Sequence, residues 1–312
     1  MDKKKNAVLF GPFVGEFYWE CGRFAPMLSY MLYKQYKNKD IDYIVYTREE
    51  RFDLYGKHAS ILVPLKIPGD YSKFRPECFR LPGFPKTEYN SLANKFKRKY
   101  QERYNIIEHI FPDIRKPEFL NKNQYPRNKM LYKYKPRKTN YELVDEFLPQ
   151  DGKPLVVLAP RFRRGFKRNW KRWQDFYDLL GKDTKLMRRY NFIICGKKEE
   201  YKPDNQDRFL DMTKILLNGN ASLAGVLLVI LERAHFAFGS QSAIPNMALL
   251  YGIEVLEFGC QKNLHTKTYN VKNTPITFIE NRKYDLEPER AINEMKRLLD
   301  RKRRKEHDKY EK

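Results

Sequence analysis

The second half of the chain constrains the fold most. Pro154–Ala159 and Tyr190–Cys195 are nearly continuous apolar runs, and His235–Phe238 and Glu254–Phe258 are shorter strand-like ones. Stretches with helical spacing lie between them: Asn169–Leu180, Ser222–Ala234 and Ile244–Tyr251, the last stopped by Gly252. A strand with one solvated face alternates apolar and polar residues. A run that stays apolar is covered on both faces, as in a parallel sheet wound with helices. Thr274–Ile279 adds a further strand and Glu287–Arg301 a final helix, while Phe209–Leu216 fits no single element.

The first half begins the same way. Lys5–Phe10 reads as a buried strand, Gly11–Glu20 as a loop, and Cys21–Tyr36 as a helix with Met27, Leu28, Met31 and Leu32 at helical spacing. Ile41–Tyr46 and Ser60–Ile67 are strands. Ser91–Ile110 reads as a helix carrying Leu92, Phe96, Tyr100, Tyr104 and Ile107 on one face. Pro112–Lys138 has no periodicity and reads as an excursion from the core. Tyr141–Phe147 is a short helix leading to the hinge-like Pro149-Gln150-Asp151-Gly152. The fold class expected is α/β: two Rossmann-like, doubly wound parallel-sheet domains facing a cleft. Residues 1–150 form the first domain, with a basic insertion at about 112–138. Residues 151–285 form the second, and 286–312 are a C-terminal helix and basic tail. A chain of 312 residues is long enough for two such cores.

Charge narrows the partners. The chain holds 62 Lys and Arg against 39 Asp and Glu, a net +23. With 41% hydrophobic residues it is not a disordered polybasic tail. A surplus of this size suits a polyanion: nucleic acid, an anionic membrane surface or phosphorylated substrates. The surplus is concentrated. Residues 115–138 carry nine basic groups and one acid, with Tyr125, Tyr132 and Tyr134 interleaved, and 161–172 carry seven basic groups and no acid. Basic residues among aromatics suit phosphates and bases together. Lys129, Lys133, Tyr134 and Lys135 in that segment, and Arg23 outside it, are candidates for contact with nucleic acid or another polyanionic partner. The run from Ala221 to Leu231 is well short of the ~20 apolar residues of a membrane span. No signal-peptide core is expected at the N-terminus. The cysteines Cys21, Cys78, Cys195 and Cys260 are widely spaced, which suggests a reducing cytoplasmic setting and no zinc site.

In doubly wound sheets, ligands bind beyond the carboxyl ends of the strands. The first such loop, Gly11–Glu20, carries Glu16 and Glu20. A carboxylate there can act as general base toward a hydroxyl, or simply favour the first turn of the following helix. The second, Arg161–Arg168, gathers Arg161, Arg163, Arg164, Lys167 and Arg168 just before a helix. Cations at a strand-to-helix loop make an anion site, with a diphosphate the leading ligand. The third, Gly239–Asn246, offers Ser240, Gln241 and Ser242 at a helix start, either as a phosphate cradle or as an ordinary cap. His235, beside an apolar strand, reads as structural. Asp40-Ile41-Asp42 precedes an early strand, so no metal site is expected.

These three segments resemble glycosyltransferases of the two-Rossmann-domain type, the GT-B fold, in the heptosyltransferase-like branch and related phage and bacterial enzymes. Gly15-Glu16, followed by the helix with Ala25-Pro26, is similar to the Gly-Asp element whose acid is the proposed base. Ala159-Pro160-Arg161 through Arg168-Asn169-Trp170 resembles the segment that contacts the donor diphosphate. Ser222-Leu223 through His235, then Gly239 through Ala248, resembles the donor-binding signature, although the usual Asp-Ser-Gly-x-x-His reads Ser240-Gln241-Ser242-Ala243-Ile244-Pro245-Asn246. The resemblance implies a metal-independent transfer of a sugar from a nucleotide-sugar co-substrate, with a UDP-sugar first among the candidates and no separate cofactor. Glu16 would serve as base, with Glu20 as the second carboxylate. The cationic loop would stabilise the leaving diphosphate, and Gly196, Lys197, Glu199, Ser222 and Leu223 would lie near the nucleoside. Three acceptor classes remain. The first is a hydroxymethylated pyrimidine in DNA, modified in the cytoplasm of a phage's host. The second is a cell-surface or capsular glycan reached at an anionic surface. The third is none at all, on a non-catalytic nucleic-acid-binding scaffold.

Overall fold

The computed structural model describes residues 4–14, 20–37, 39–56, 58–66, 86–110, 134–161, 169–196, 203–204, 206–270 and 272–310. The chain divides into two compact units. Unit 1 comprises 1–141 and 219–228; unit 2 comprises 142–218 and 229–312. The expected boundary near 150 thus lies at 141/142, and a ten-residue return to unit 1 adds to it.

Unit 1 is built on a parallel sheet of β1 (Lys5–Phe13), β2 (Ile41–Thr47), β3 (Ile61–Pro64) and β4 (Tyr104–Ile110), in the order β3-β2-β1-β4. The central strand β1 is buried from Ala7 onward, which explains its unbroken apolar run. On one face Ala7, Leu9 and Ile44 meet Phe96 and Tyr100. Phe10 packs against Phe24, ring centroids 5.3 Å apart. Phe24 belongs to a helical stretch, 20–35, whose centre is α1 (Ala25–Tyr30).

The segment 91–110 differs from its expected single helix. Helix α2 (Lys86–Gln101) ends after the first three residues of the apolar face, and 104–110 is a strand. Leu92, Phe96 and Tyr100 do line the helix's inner face. Tyr104 continues the i, i+4 spacing by coincidence. Beyond the turn at Glu102-Arg103, the β-branched Ile106 and Ile107 favour a pleated surface, and pairing with β1 supplies it.

Helix α3 (Lys138–Phe147) carries the chain into unit 2. There six parallel strands follow: β5 (Leu155–Ala159), β6 (Asn191–Ile194), β7 (Leu210–Asp211), β8 (Ala234–Ser240), β9 (Glu254–Gly259) and β10 (Ile276–Glu280). Their order is β10-β9-β8-β5-β6-β7, a 3-2-1-4-5-6 winding when counted from the unit's first strand. Helices α4 (Trp173–Lys182), α5 (Thr184–Arg189), α7 (Ala243–Tyr251) and α8 (Pro288–Tyr310) accompany it, and α6 (Leu223–Arg233) begins in unit 1 and ends in unit 2. Alternate strand residues Val156, Leu158, Phe192, Phe236, Phe238 and Phe258 face a core closed by α4 and α8. Leu155, Val157, Ile193, Ala237 and Val255 are as well buried on the opposite side. Trp170, just before α4, has no exposed surface, and its indole N–H donates to Leu286 O at 2.8 Å. The segment expected as a basic tail is helical through Tyr310.

Candidate functional site

Strand order places the crevices. In unit 2 it reverses between β5 and β8, so the carboxyl ends of these neighbours diverge into connections on opposite faces. Ala159 and Gly239 are paired across that point. Gly239 is required there: a Cβ would stand 2.7 Å from Ala159 O. Two residues beyond β5 is Arg161, and directly after β8 come Gln241 and Ser242. Arg161 Nη1 donates to Gln241 O at 2.5 Å, joining the two exits.

The Ser240 side chain is fully buried, and its Oγ has no hydrogen-bond partner among the described residues. Ser242 stands at the start of α7 in extended conformation. Its side chain does not cap the helix, and its carbonyl accepts from Asn246 Nδ2 at 2.8 Å. Gln241 takes a different part from the expected phosphate contact. It is 4% exposed and its amide is held internally. Glu257 and His265 form a buried pair behind this edge, Oε1 to Nδ1 2.9 Å. Gly196 is the second residue past β6 and is half-buried. Arg163, Arg164, Lys167, Arg168, Lys197 and Glu199 lie outside the described residues.

In unit 1 the reversal falls between β1 and β4. Three side chains anchor the exit of β1. His109 Nε2 donates to Gly11 O at 2.8 Å, Tyr89 OH to Pro12 O at 2.9 Å, and Arg48 Nη2 to Val14 O at 3.2 Å. Residues 15–19, Glu16 among them, lie outside the described residues.

Glu20 has another use than the expected catalytic one. It is wholly buried. One oxygen accepts from Thr47 Oγ1 and from Tyr55 OH at 2.8 Å, the other from Arg51 Nη1 at 2.5 Å. Burial pushes its carboxyl up, while Arg51 pulls it down. A base must reach the proton it removes, and this carboxylate instead ties the helical stretch 20–35 to the end of β2 and the segment after it.

Ser222 is also placed differently from the expected nucleoside contact. It is buried within unit 1, where its Oγ donates to Asp53 and accepts from Gly225 N at 2.9 Å, starting α6. Asp53 collects five donors from two distant segments. These are Arg137 N, Nε and Nη2 at 2.8–3.1 Å, Asn140 Nδ2 at 3.0 Å, and Ser222 Oγ. Leu223, beside it, is exposed. Nothing in the sequence around Asp53 marks it, because its partners lie more than 80 residues away. Of the acceptor candidates, Tyr134 donates its hydroxyl to Cys21 O and Lys135 is exposed. Lys129, Lys133 and the Arg23 side chain lie outside the described residues.

No family model matches the sequence, and no curated protein matches it. Solved structures do match. A family 9 glycosyl transferase from Veillonella parvula DSM 2008 is 11% identical with a TM-score of 0.58, covering 96% of this chain and 98% of that one. The E. coli ADP-heptose lps heptosyltransferase II is 11% identical with a TM-score of 0.56, covering 96% and 99%. An E. coli heptosyltransferase solved with ADP is 13% identical with a TM-score of 0.51, covering 95% and 99%. The chain therefore has the GT-B-type architecture of two parallel α/β sheets. No helix among the described residues is long and apolar enough to cross a membrane.

Proposed function

We propose that the protein is a glycosyltransferase that moves a sugar from a nucleotide-sugar to an acceptor hydroxyl. One observation carries the reading. A chain with the heptosyltransferase fold presents Arg161 and Ser242 at the β5–β8 reversal, where such sheets take a nucleotide diphosphate. In the sequence Glu16 stands two residues after Val14, whose carbonyl Arg48 holds at the exit of β1, and it takes the acceptor hydroxyl's proton. The hydroxyl oxygen bonds to the anomeric carbon as that carbon's bond to the diphosphate oxygen breaks. The nucleoside diphosphate leaves with both electrons of that bond, its charge stabilised by Arg161 and by the basic residues that follow it in the sequence, Arg163, Arg164, Lys167 and Arg168.

The acceptor is an anionic polymer, as the net charge of +23 favours. Hydroxymethylated pyrimidine in DNA is the first reading, supported by the Lys- and Tyr-rich segment 115–138, with a flipped base stacking on aromatics. The second is a cell-surface glycan, favoured by the E. coli neighbour that is an lps heptosyltransferase.

The test is nucleotide release from a panel of nucleotide-sugars, with hydroxymethylpyrimidine DNA, with lipopolysaccharide, and with neither. Release driven by DNA, with mass added to the base, supports the first reading; release driven by lipopolysaccharide supports the second. No turnover of any donor overturns the enzyme. Glu16→Gln is expected to abolish transfer while sparing donor binding. Glu20→Gln is expected to lower stability, by about 1–3 kcal/mol, more than it lowers the rate of the folded enzyme.

A further inference from the structure

Gln241 makes an unusual set of contacts for a residue beside a diphosphate site. Its main chain reaches both ways along the sheet edge. The N–H donates to Phe258 O of β9 at 2.9 Å, and the carbonyl accepts from Arg161, beyond β5. Its side chain reaches further. Oε1 accepts from Cys260 N at 3.1 Å, Gln261 N at 3.3 Å and Tyr284 OH at 3.0 Å, while Nε2 donates to Gln261 Oε1. One residue thus joins the carboxyl ends of β5, β8 and β9 to the segment after β10.

Two neighbours are shaped around it. A Cβ at position 259 would stand 2.5 Å from Gln241 Oε1, so only glycine there admits the amide. Tyr284 is 3% exposed and held at φ 56°, a left-handed conformation that bulky residues avoid. Its hydroxyl reaches Gln241 from that position. A surface glutamine acting as a ligand would need neither feature.

We infer that Gln241 is a positioning residue that aims the Arg161 guanidinium at the donor diphosphate. The inference rests on the glycosyltransferase reading and deepens it. With the amide locked, the carbonyl of residue 241 has one direction, and it fixes the guanidinium across the exits of β5 and β8. A guanidinium so oriented meets phosphate oxygens without having to be ordered on binding. Without the lock, the carbonyl turns and Arg161 swings away from the crevice.

The experiment is calorimetric titration of the full chain with ADP, UDP, GDP and CDP, and with the parent nucleosides as diphosphate-free controls. Gln241→Met keeps the side-chain volume and removes the acceptor; Tyr284→Phe removes one hydroxyl and serves if the first variant fails to fold. Arg161→Ala and Gln241→Met are each expected to weaken the preferred diphosphate by about tenfold or more, the worth of a charge-assisted contact. Nucleoside affinity should stay unchanged, and the double variant should bind no worse than Arg161→Ala alone. Tyr284→Phe should show the same selective loss, smaller in size. Wild-type affinity in the folded Gln241→Met or Tyr284→Phe variant, equal loss for nucleoside and diphosphate, or additive effects would overturn the positioning role and leave the glycosyltransferase reading standing. If the wild type binds no nucleoside diphosphate, both fall.

Discussion

Unit 1 and unit 2 wind their first four strands in the same order, yet they close their interiors by different means. Unit 2 is held by an aromatic cluster in which Trp170, Trp173, Phe176, Phe238 and Phe258 meet at centroid distances of 4.8–6.1 Å. Unit 1 places two buried carboxylates, Glu20 and Asp53, under guanidinium groups from Arg51 and Arg137. Apolar contacts are non-directional, so each aromatic contributes in proportion to the area it buries. A buried carboxylate contributes only while its donors are in place, and its desolvation turns into a penalty when one is lost. The two units should therefore fail differently when mutated.

The sharpest way to break the comparison is Asp53→Ala. It leaves the Arg137 guanidinium, the Asn140 amide and the Ser222 hydroxyl without their common acceptor. Removing one partner of a buried pair costs about 3–5 kcal/mol, so the denaturant midpoint should fall steeply. A loss below about 1 kcal/mol would mean that unit 1 does not depend on this node.

A smaller effect is expected for Phe238→Leu in unit 2. The change keeps an apolar side chain but a smaller one, and such a partial loss of volume in a close-packed cluster costs about 1–2 kcal/mol. Urea unfolding of the two variants side by side measures the contrast directly. Equal losses would remove the distinction between the units.

The smallest effect is a pH dependence that both units share. Burial holds the imidazoles of His109 in unit 1 and His235 in unit 2 below the ordinary histidine range. Lys302 depresses His235 further, partly opposed by Glu306 and Glu254. A depressed histidine is neutral in the folded state. Its contribution is present above the unfolded value of about 6.5 and is lost as pH falls through the folded one. Stability should therefore decline as pH drops from 7 toward 5, and His109→Gln and His235→Gln should each flatten that decline. Unfolding midpoints across the range test it, and an unchanged slope in both variants would dismiss the histidines.

The same contrast explains how much was legible in the sequence. In unit 2 the strands at 154–159, 190–195 and 254–258 and the helix stopped by Gly252 all follow from local pattern. Aromatic and aliphatic residues recur there at the periods that their burial demands. In unit 1 the strand 104–110 was hidden behind a helical spacing that ran on by chance. From sequence alone Glu20 is a catalytic candidate, because a carboxylate after a strand looks alike in both roles. The resemblance implies a nucleoside contact for Ser222, yet its hydroxyl serves Asp53, 169 residues away. A hydrogen bond across such a separation leaves no trace in the neighbouring residues.

The sequence by itself determined the class of the fold, because the period of apolar residues is set by backbone geometry and each run carries it whole. It also determined where cations gather and which loops follow which strands. Tertiary structure alone decided which polar side chains face a crevice and which are locked beneath it. Directional groups take their meaning from partners that only the folded chain brings within about 3 Å, as Gln241 does with Tyr284 and Asp53 with Arg137.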